Sequence, residues 1–213
     1  MELKGIRHQT EDGQLVLDGL DFSIFAGERV ALTGGNGAGK TTLLHIMVGL
    51  LPIEAGTIEA FGKKRCTDSD FYEVRCRAGL CFQNADHQLF CPTVAEDVAF
   101  GPLNLGKTHK EARAITSDVL GKLGLEGYET RITHHLSGGE KRLVALASVL
   151  AMAPDVLFLD EPTAGLDEAG ERRLVEVLNQ LPQAKLIVSH DAAFLKAVTD
   201  KKTKLAGGKL TLI

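Results

Sequence analysis

The chain has 213 residues, 44% of them hydrophobic and 24% charged, with a net charge of −4. That length gives room for one large domain or a core with an inserted subdomain, and the acidic balance argues against a nucleic-acid surface. No apolar run approaches the ~18 residues that cross a bilayer, and Met1 to Gly5 carry no secretory pattern, so a role at a membrane must come through a partner.

In chain order, Val30 to Thr33 reads as a short buried strand and Thr41 to Leu51 as a helix that Pro52 ends. Gly56 to Phe61 reads as a strand bracketed by glycines, and Ala78 to Phe82 is another apolar run. Between the four cysteines at 66, 76, 81 and 91 no pair has the two-residue gap of a zinc knuckle. They read as reduced thiols of a cytosolic protein, the alternative being a metal site helped by His87. His109 to Leu123 has helical spacing, with Ala112, Ile115, Val119, Leu120 and Leu123 on one face. Ser137 to Met152 is a long helical stretch ended by Pro154. Val156 to Leu159 and Leu186 to Val188 are short, wholly apolar strands, as in a parallel sheet covered on both faces, and Glu168 to Leu181 fits a helix between them. Strand, helix and strand in that order imply an α/β core. Residues 84 to 150 look more helical. Thr203 to Ala206 and Leu210 to Ile213, around Gly207-Gly208, read as a hairpin.

Residues 34 to 41 read Gly-Gly-Asn-Gly-Ala-Gly-Lys-Thr, which matches G-x-x-x-x-G-K-[ST] after a strand and before a helix. In Gly35, Asn36, Gly37, Ala38 and Gly39 the small residues let backbone amides wrap phosphates. The positive end of the following helix adds to that field. Lys40 is expected on the β- and γ-phosphates, the Thr41 hydroxyl on Mg²⁺, and Thr42 near the α-phosphate of ATP. Downstream, the apolar Val156-Leu157-Phe158-Leu159 runs into Asp160-Glu161. Such carboxylates stand at the sheet edge where open α/β folds bind ligands. Asp160 is placed to hold Mg²⁺ through water, and Glu161 to polarise the attacking water as a general base.

Between these motifs lies Leu136-Ser137-Gly138-Gly139-Glu140, then Lys141-Arg142. Here the chain resembles the ATP-binding cassette family, whose signature pentapeptide sits just ahead of the acidic strand. Gln83 occupies that family's Q-loop position, Ala164-Gly165-Leu166-Asp167 resembles its D-loop, and His190 matches its switch histidine. The resemblance covers nearly the whole chain. It implies an α/β fold: a P-loop nucleotide-hydrolase core of ABC-ATPase type with an antiparallel β subdomain and an inserted α-helical subdomain. Within one domain over 1–213, the core and β subdomain would take about 1–83 and 155–213, and the helical subdomain about 84–154.

The resemblance further implies a head-to-tail pair, formed with an identical or a paralogous chain. Ser137, Gly138 and Gly139 of one copy would face the γ-phosphate held by the other. A hydroxyl, exposed amides and a positive helix end suit them to that role; a plain helix N-cap is the bland reading, and both can hold at once. Gln83 would touch Mg²⁺ or the attacking water, His190 the γ-phosphate, and Asp167 would link the two sites. Phe82-Gln83-Asn84-Ala85-Asp86-His87-Gln88-Leu89-Phe90, continuing through Pro92-Thr93-Val94, Glu96-Asp97-Val98 and Phe100-Gly101-Pro102, is similar to ATPases of the energy-coupling-factor importers, including the cobalt and nickel branch. That implies integral membrane partner subunits, a place on the cytoplasmic face of the membrane, no nucleic-acid partner, and cobalt or nickel as cargo, with a vitamin such as biotin second. A soluble cassette protein acting on ribosomes or DNA would carry two cassettes or long coiled-coil insertions, and the signature argues against a small-molecule kinase.

One position departs from the pattern. Where many relatives stack an aromatic ring on adenine, counting back from Leu17 gives Thr10, which has no π face. Weaker adenine binding is expected, with looser preference for ATP over GTP. The chain also stops soon after its final hairpin, so pairing is expected to depend on ATP and membrane partners.

Overall fold

The computed structural model describes every residue from Met1 to Ile213. In chain order its elements begin β1 (Glu2–Gln9), β2 (Leu15–Ser23), β3 (Arg29–Thr33), α1 (Lys40–Met47), β4 (Ala55–Ala60), β5 (Lys63–Arg65), α2 (Asp68–Arg77) and β6 (Ala78–Cys81). They continue α3 (Val94–Asn104), α4 (His109–Lys122), α5 (Gly138–Ala151), β7 (Val156–Asp160), α6 (Glu168–Gln180), β8 (Ala184–Val188), α7 (Ala192–Val198), β9 (Lys201–Ala206) and β10 (Lys209–Leu212). Two compact units result. The first takes Met1–Leu80, Asp155–Phe158 and Gln183–Ile213; the second takes Cys81–Pro154 and Leu159–Pro182.

The first unit carries an antiparallel sheet of order β2-β1-β4-β5. A second sheet has the order β10-β9-β3-β8-β7-β6, with β3 parallel to both β8 and β9 and β10 antiparallel to β9. All five residues of β7 and all five of β8 are buried, which is why both read as unbroken apolar runs rather than alternating ones. Leu3, Ile6, Leu17, Leu43, Leu44, Ile46, Phe158 and Leu186 belong to one buried cluster that fills this unit.

The helix expected over Thr41 to Leu51 is shorter. It stops at Met47, and the cause is Gly49, not Pro52. Gly49 sits at φ 72°, its N–H bonds to the Ile46 carbonyl at 3.1 Å, and the Leu50 N–H reaches the His45 carbonyl at 2.9 Å. That pair of bonds is the glycine stop of a helix C-terminus. The first strand pair had no clear sequence signal. Register shifts between Leu3 and Ile6, and between His8 and Gln9, break its period-two pattern. α2 and α7 likewise have no clear signal in the sequence. α2 buries only Phe71 and Val74, too few to show a stripe, although Thr67 and Asp70 form a capping box at its start.

In the second unit α3, α4 and α5 pack against one another. Each begins with the same device: Thr93 with Glu96, Thr108 with Glu111, Ser137 with Glu140. The segment ahead of α5 is tied to the start of α3. The amides of Val94 and Ala95 donate to the carbonyls of Arg131 and Glu129, both at 3.0 Å, and the Thr133 amide donates to the Pro92 carbonyl at 3.1 Å. No helix of the chain is long and apolar enough to cross a membrane.

Candidate active site

The phosphate loop belongs to the first unit. β3 ends at Thr33, residues 34–39 turn, and α1 starts at Lys40. The N-cap is Gly39 at φ 98°, which offers no side-chain acceptor, and the first turn contains no acid. The leading amides of α1 therefore keep their partial positive charge for a ligand. Lys40 is buried, and its ammonium donates to the carbonyls of Gly34 (2.9 Å) and Gly35 (3.0 Å). A cation, a cradle of amides and a helix dipole thus converge on the turn of Gly35, Asn36, Gly37, Ala38 and Gly39, which is the chemistry that binds a polyphosphate. Thr41 and Thr42 follow on α1, half-buried.

His190, in the same unit, lies exposed just beyond β8. The chain there is set by three hydrogen bonds: Asp191 N–H to Ser189 Oγ at 3.0 Å, and the Asp191 carboxylate accepting from Ala193 and Phe194 as the cap of α7. Thr10 closes the turn between β1 and β2, its hydroxyl bonded to the backbone of Gln14. His8 is buried with Nδ1 at 2.9 Å from the Pro52 carbonyl oxygen, so it offers no ring for stacking in place of Thr10.

The second unit carries the acidic pair. Asp160 is the buried last residue of β7. Glu161 follows at φ 49°, a left-handed conformation that costs a residue with a side chain about 1–2 kcal/mol. Phe61 and Ala153 share that conformation, each before a residue that suits a turn, Gly62 and Pro154. Asp167 caps α6, its Oδ1 accepting the Gly170 N–H at 2.8 Å.

The N-cap of α5 is Ser137, which is exposed, as is Gly138. Ser137 Oγ accepts the Glu140 N–H at 3.3 Å, and Glu140 Oε2 accepts the Ser137 N–H at 2.7 Å. Gly139 is pressed against the D-loop: a Cβ there would lie 2.6 Å from the Gly165 carbonyl oxygen. Signature and D-loop are packed as one piece within this unit.

Gln83 presents an exposed side chain, and its main chain is held by α5. The buried Arg142 guanidinium donates through Nη2 to the Gln83 carbonyl at 2.6 Å, and Lys141 pairs with Asp86 at 2.7 Å. Gln88 adds a third tie, its amide donating to the Ala145 carbonyl at 2.6 Å. Sequence reasoning passed over these roles for Lys141, Arg142 and Gln88; the partners are more than fifty residues apart and leave no local pattern.

The cysteines do not converge. No group of three or more His, Cys, Asp or Glu side chains in the chain could hold a metal ion. Burial pushes the Cys81 thiol up to about 12, and burial together with the Asp97 carboxylate pushes Cys91 up to about 11, so neither is a thiolate at neutral pH.

The residues expected to bind nucleotide phosphates, Gly35 to Thr42, thus share one turn and helix start, and His190, beyond β8, belongs to the same first unit. Gln83, Ser137, Gly138, Gly139, Asp160 and Glu161 belong to the second. Thr41, Gln83 and Asp160 offer a hydroxyl, an amide and a carboxylate, hard oxygen donors of the kind Mg²⁺ takes alongside phosphate and water.

The chain belongs to the ABC transporter family, whose model matches residues 17–164. It is an ATPase of the cassette type, and ATP is its nucleotide. Among its relatives is a putative ABC transporter ATP-binding protein of Brucella suis, 54% identical over 94% of this chain and 84% of that protein. The energy-coupling factor transporter ATP-binding protein EcfA of Methanocaldococcus jannaschii is 42% identical over 99% of this chain and 77% of its own length. Among solved structures, cbiO1 from Clostridium perfringens, part of the ABC transporter complex cbiONQ, is 35% identical with a TM-score of 0.85, covering 99% of this chain and 86% of that one.

Proposed function

We propose that the chain powers an importer of the energy-coupling-factor type, acting at the cytoplasmic face of the membrane as one of two paired ATPase subunits, and that the cargo is a cobalt or nickel ion. The observation that carries the ATPase reading is the uncapped start of α1 with Lys40 folded over its own loop. ATP entering there exchanges the two carbonyls on Lys40 for β- and γ-phosphate oxygens. Glu161 orients and deprotonates the attacking water, and His190 and Gln83 hold that water and the γ-phosphate in line. Mg²⁺, when bound, neutralises phosphate charge, and Thr41, Gln83 and Asp160 would hold it. Ser137, Gly138 and Gly139 of a second subunit complete the γ-phosphate site from the far side.

The membrane-partner reading is supported by an apolar patch on the second unit. Phe90 and Phe100 are 63% and 46% exposed and cross edge to face at 4.8 Å. Asp97 Oδ1 accepts the amides of Phe90 and Cys91 at 3.1 and 3.2 Å, which pins that loop to α3. Exposed aromatics held this rigidly suit a protein contact. The cargo reading rests on the likeness of residues 82–106 to the cobalt and nickel branch.

The test is Glu161→Gln. It should bind ATP, form a stable nucleotide-dependent dimer in sedimentation, and lose nearly all turnover. Hydrolysis at the parent rate would remove Glu161 from its role. Uptake of radioactive cobalt by cells expressing the chain with its neighbouring membrane subunits tests the cargo; vitamin uptake without metal uptake would replace it.

A further inference from the structure

Glu140 poses an electrostatic problem for the function proposed above, on which this inference rests. Its carboxylate sits three residues beyond Ser137, bonded to the Ser137 amide at 2.7 Å. A terminal phosphate approaching Ser137 meets that negative charge. Two groups on the segment before α5 answer it. Tyr128 donates its hydroxyl to Glu140 Oε1 at 2.6 Å, and Arg131 donates Nη1 to the same oxygen at 3.1 Å. The Arg131 guanidinium also lies 3.6 Å from the centre of the Tyr128 ring, so the pair is stacked as one unit. The segment is itself fixed, because the carbonyls of Glu129 and Arg131 accept the first amides of α3.

We propose that Tyr128 and Arg131 are positioning residues for the signature helix start: they hold and neutralise the Glu140 carboxylate, so that it orders Ser137 without repelling the γ-phosphate bound by the other subunit. The carboxyl is held down at about 2, first by the Tyr128 hydroxyl and then by Ser137, with Arg131 adding to it, so the charge is present at every working pH. Neither residue touches nucleotide. Arg131 is half exposed and Glu140 is 28% exposed, so the interaction is partly screened by water and salt. Removing Arg131 leaves the carboxylate bonded to Ser137 but no longer balanced. Removing the charge of Glu140 as well makes Arg131 dispensable. A purely structural clamp would behave otherwise, since each further loss would add to the damage.

The experiment uses the full chain with Glu161→Gln and measures ATP-dependent dimerisation by sedimentation at low and high salt, with ATP affinity of the monomer alongside. Arg131→Gln should weaken the dimer about five- to tenfold at low salt and less at high salt. Monomer ATP affinity should stay within twofold. Tyr128→Phe should weaken the dimer about threefold. Arg131→Gln with Glu140→Gln should restore it to within about twofold of the parent. If the double variant is weaker than Arg131→Gln alone, the clamp is structural and the inference falls. If Ser137→Ala weakens the dimer while Arg131→Gln does not, the inference falls and the paired ATPase stands. If Ser137→Ala leaves the dimer intact, or no ATP-dependent dimer forms, the pairing itself is wrong and the inference goes with it.

Discussion

The α1 start carries Gly39 at its cap, Lys40 next, and no acid in its first turn; the α5 start carries Ser137 at its cap and Glu140 three residues on. The other helices side with α5. α2, α3 and α4 open with a threonine and an acid in reciprocal bonds, and α6 and α7 open with an aspartate that accepts their leading amides. A capped start satisfies its own leading amides, and each cap contributes about 1 kcal/mol to the fold. α1 alone forgoes that stabilisation and leaves its amides for an incoming anion. The start of α5 is intermediate: it is capped, yet Ser137 and Gly138 remain exposed. The same element of secondary structure thus serves as an anion receptor or as a closed joint, according to which residue stands at the cap and which stands three places later.

The largest effect should come from Lys40→Ala. It removes the one cation folded over the loop, and with it the charged hydrogen bonds, worth about 2–3 kcal/mol, that the ammonium would move from the Gly34 and Gly35 carbonyls to phosphate oxygens. ATP binding by the isolated chain, measured by calorimetry, should weaken about a hundredfold. Affinity within threefold of the parent would take the phosphate away from this helix. Thr42→Glu goes further in concept and less far in size, since it gives α1 the acid that α5 has. The glutamate should reach back to the Gly39 amide and raise the melting temperature slightly, while ATP binding drops about tenfold through repulsion. A variant that binds ATP as the parent does would erase the contrast between the two starts.

The smallest effect is in pH. Glu140 has its folded carboxyl depressed, to about 2. Its contribution is therefore complete above the ordinary glutamate range near pH 4.3 and is lost as the pH falls toward 2. The melting temperature of Glu140→Gln should lie below the parent at pH 7, and the gap should narrow steadily as the pH falls from about 4 through about 2. A gap that stays constant over that range would mean the carboxylate charge plays no part in closing α5.

This contrast was only half legible in the sequence. The loop from Gly34 to Thr41 is contiguous, so its spacing announces a turn between strand and helix. The pairing of Ser137 with Glu140 is likewise local. Tyr128 and Arg131 act on Glu140 from twelve and nine residues away across irregular chain, and no periodicity marks them. The apolar runs of β7 and β8 were plain because every side chain is buried. β1 and β2 were not, since bulges shift which residues face inward. At the end of α1 Pro52 is the stronger punctuation in the sequence, while the bonds from Gly49 and Leu50 close the helix earlier.

The bond from Arg142 to the Gln83 carbonyl has a consequence for heredity. Arg142 Nε and Nη1 are buried without hydrogen-bond partners, so that carbonyl is the oxygen that satisfies this cation. Losing it would strand a charge away from water, at a cost of several kcal/mol. That acceptor is main chain, which any residue at 83 supplies, so the demand falls on the path of the chain there; the ties that depend on sequence are Lys141 with Asp86 and Gln88 with the Ser148 hydroxyl. A chimera that exchanges 82–88 without 137–148 should keep the carbonyl under Arg142 and lose those two side-chain ties.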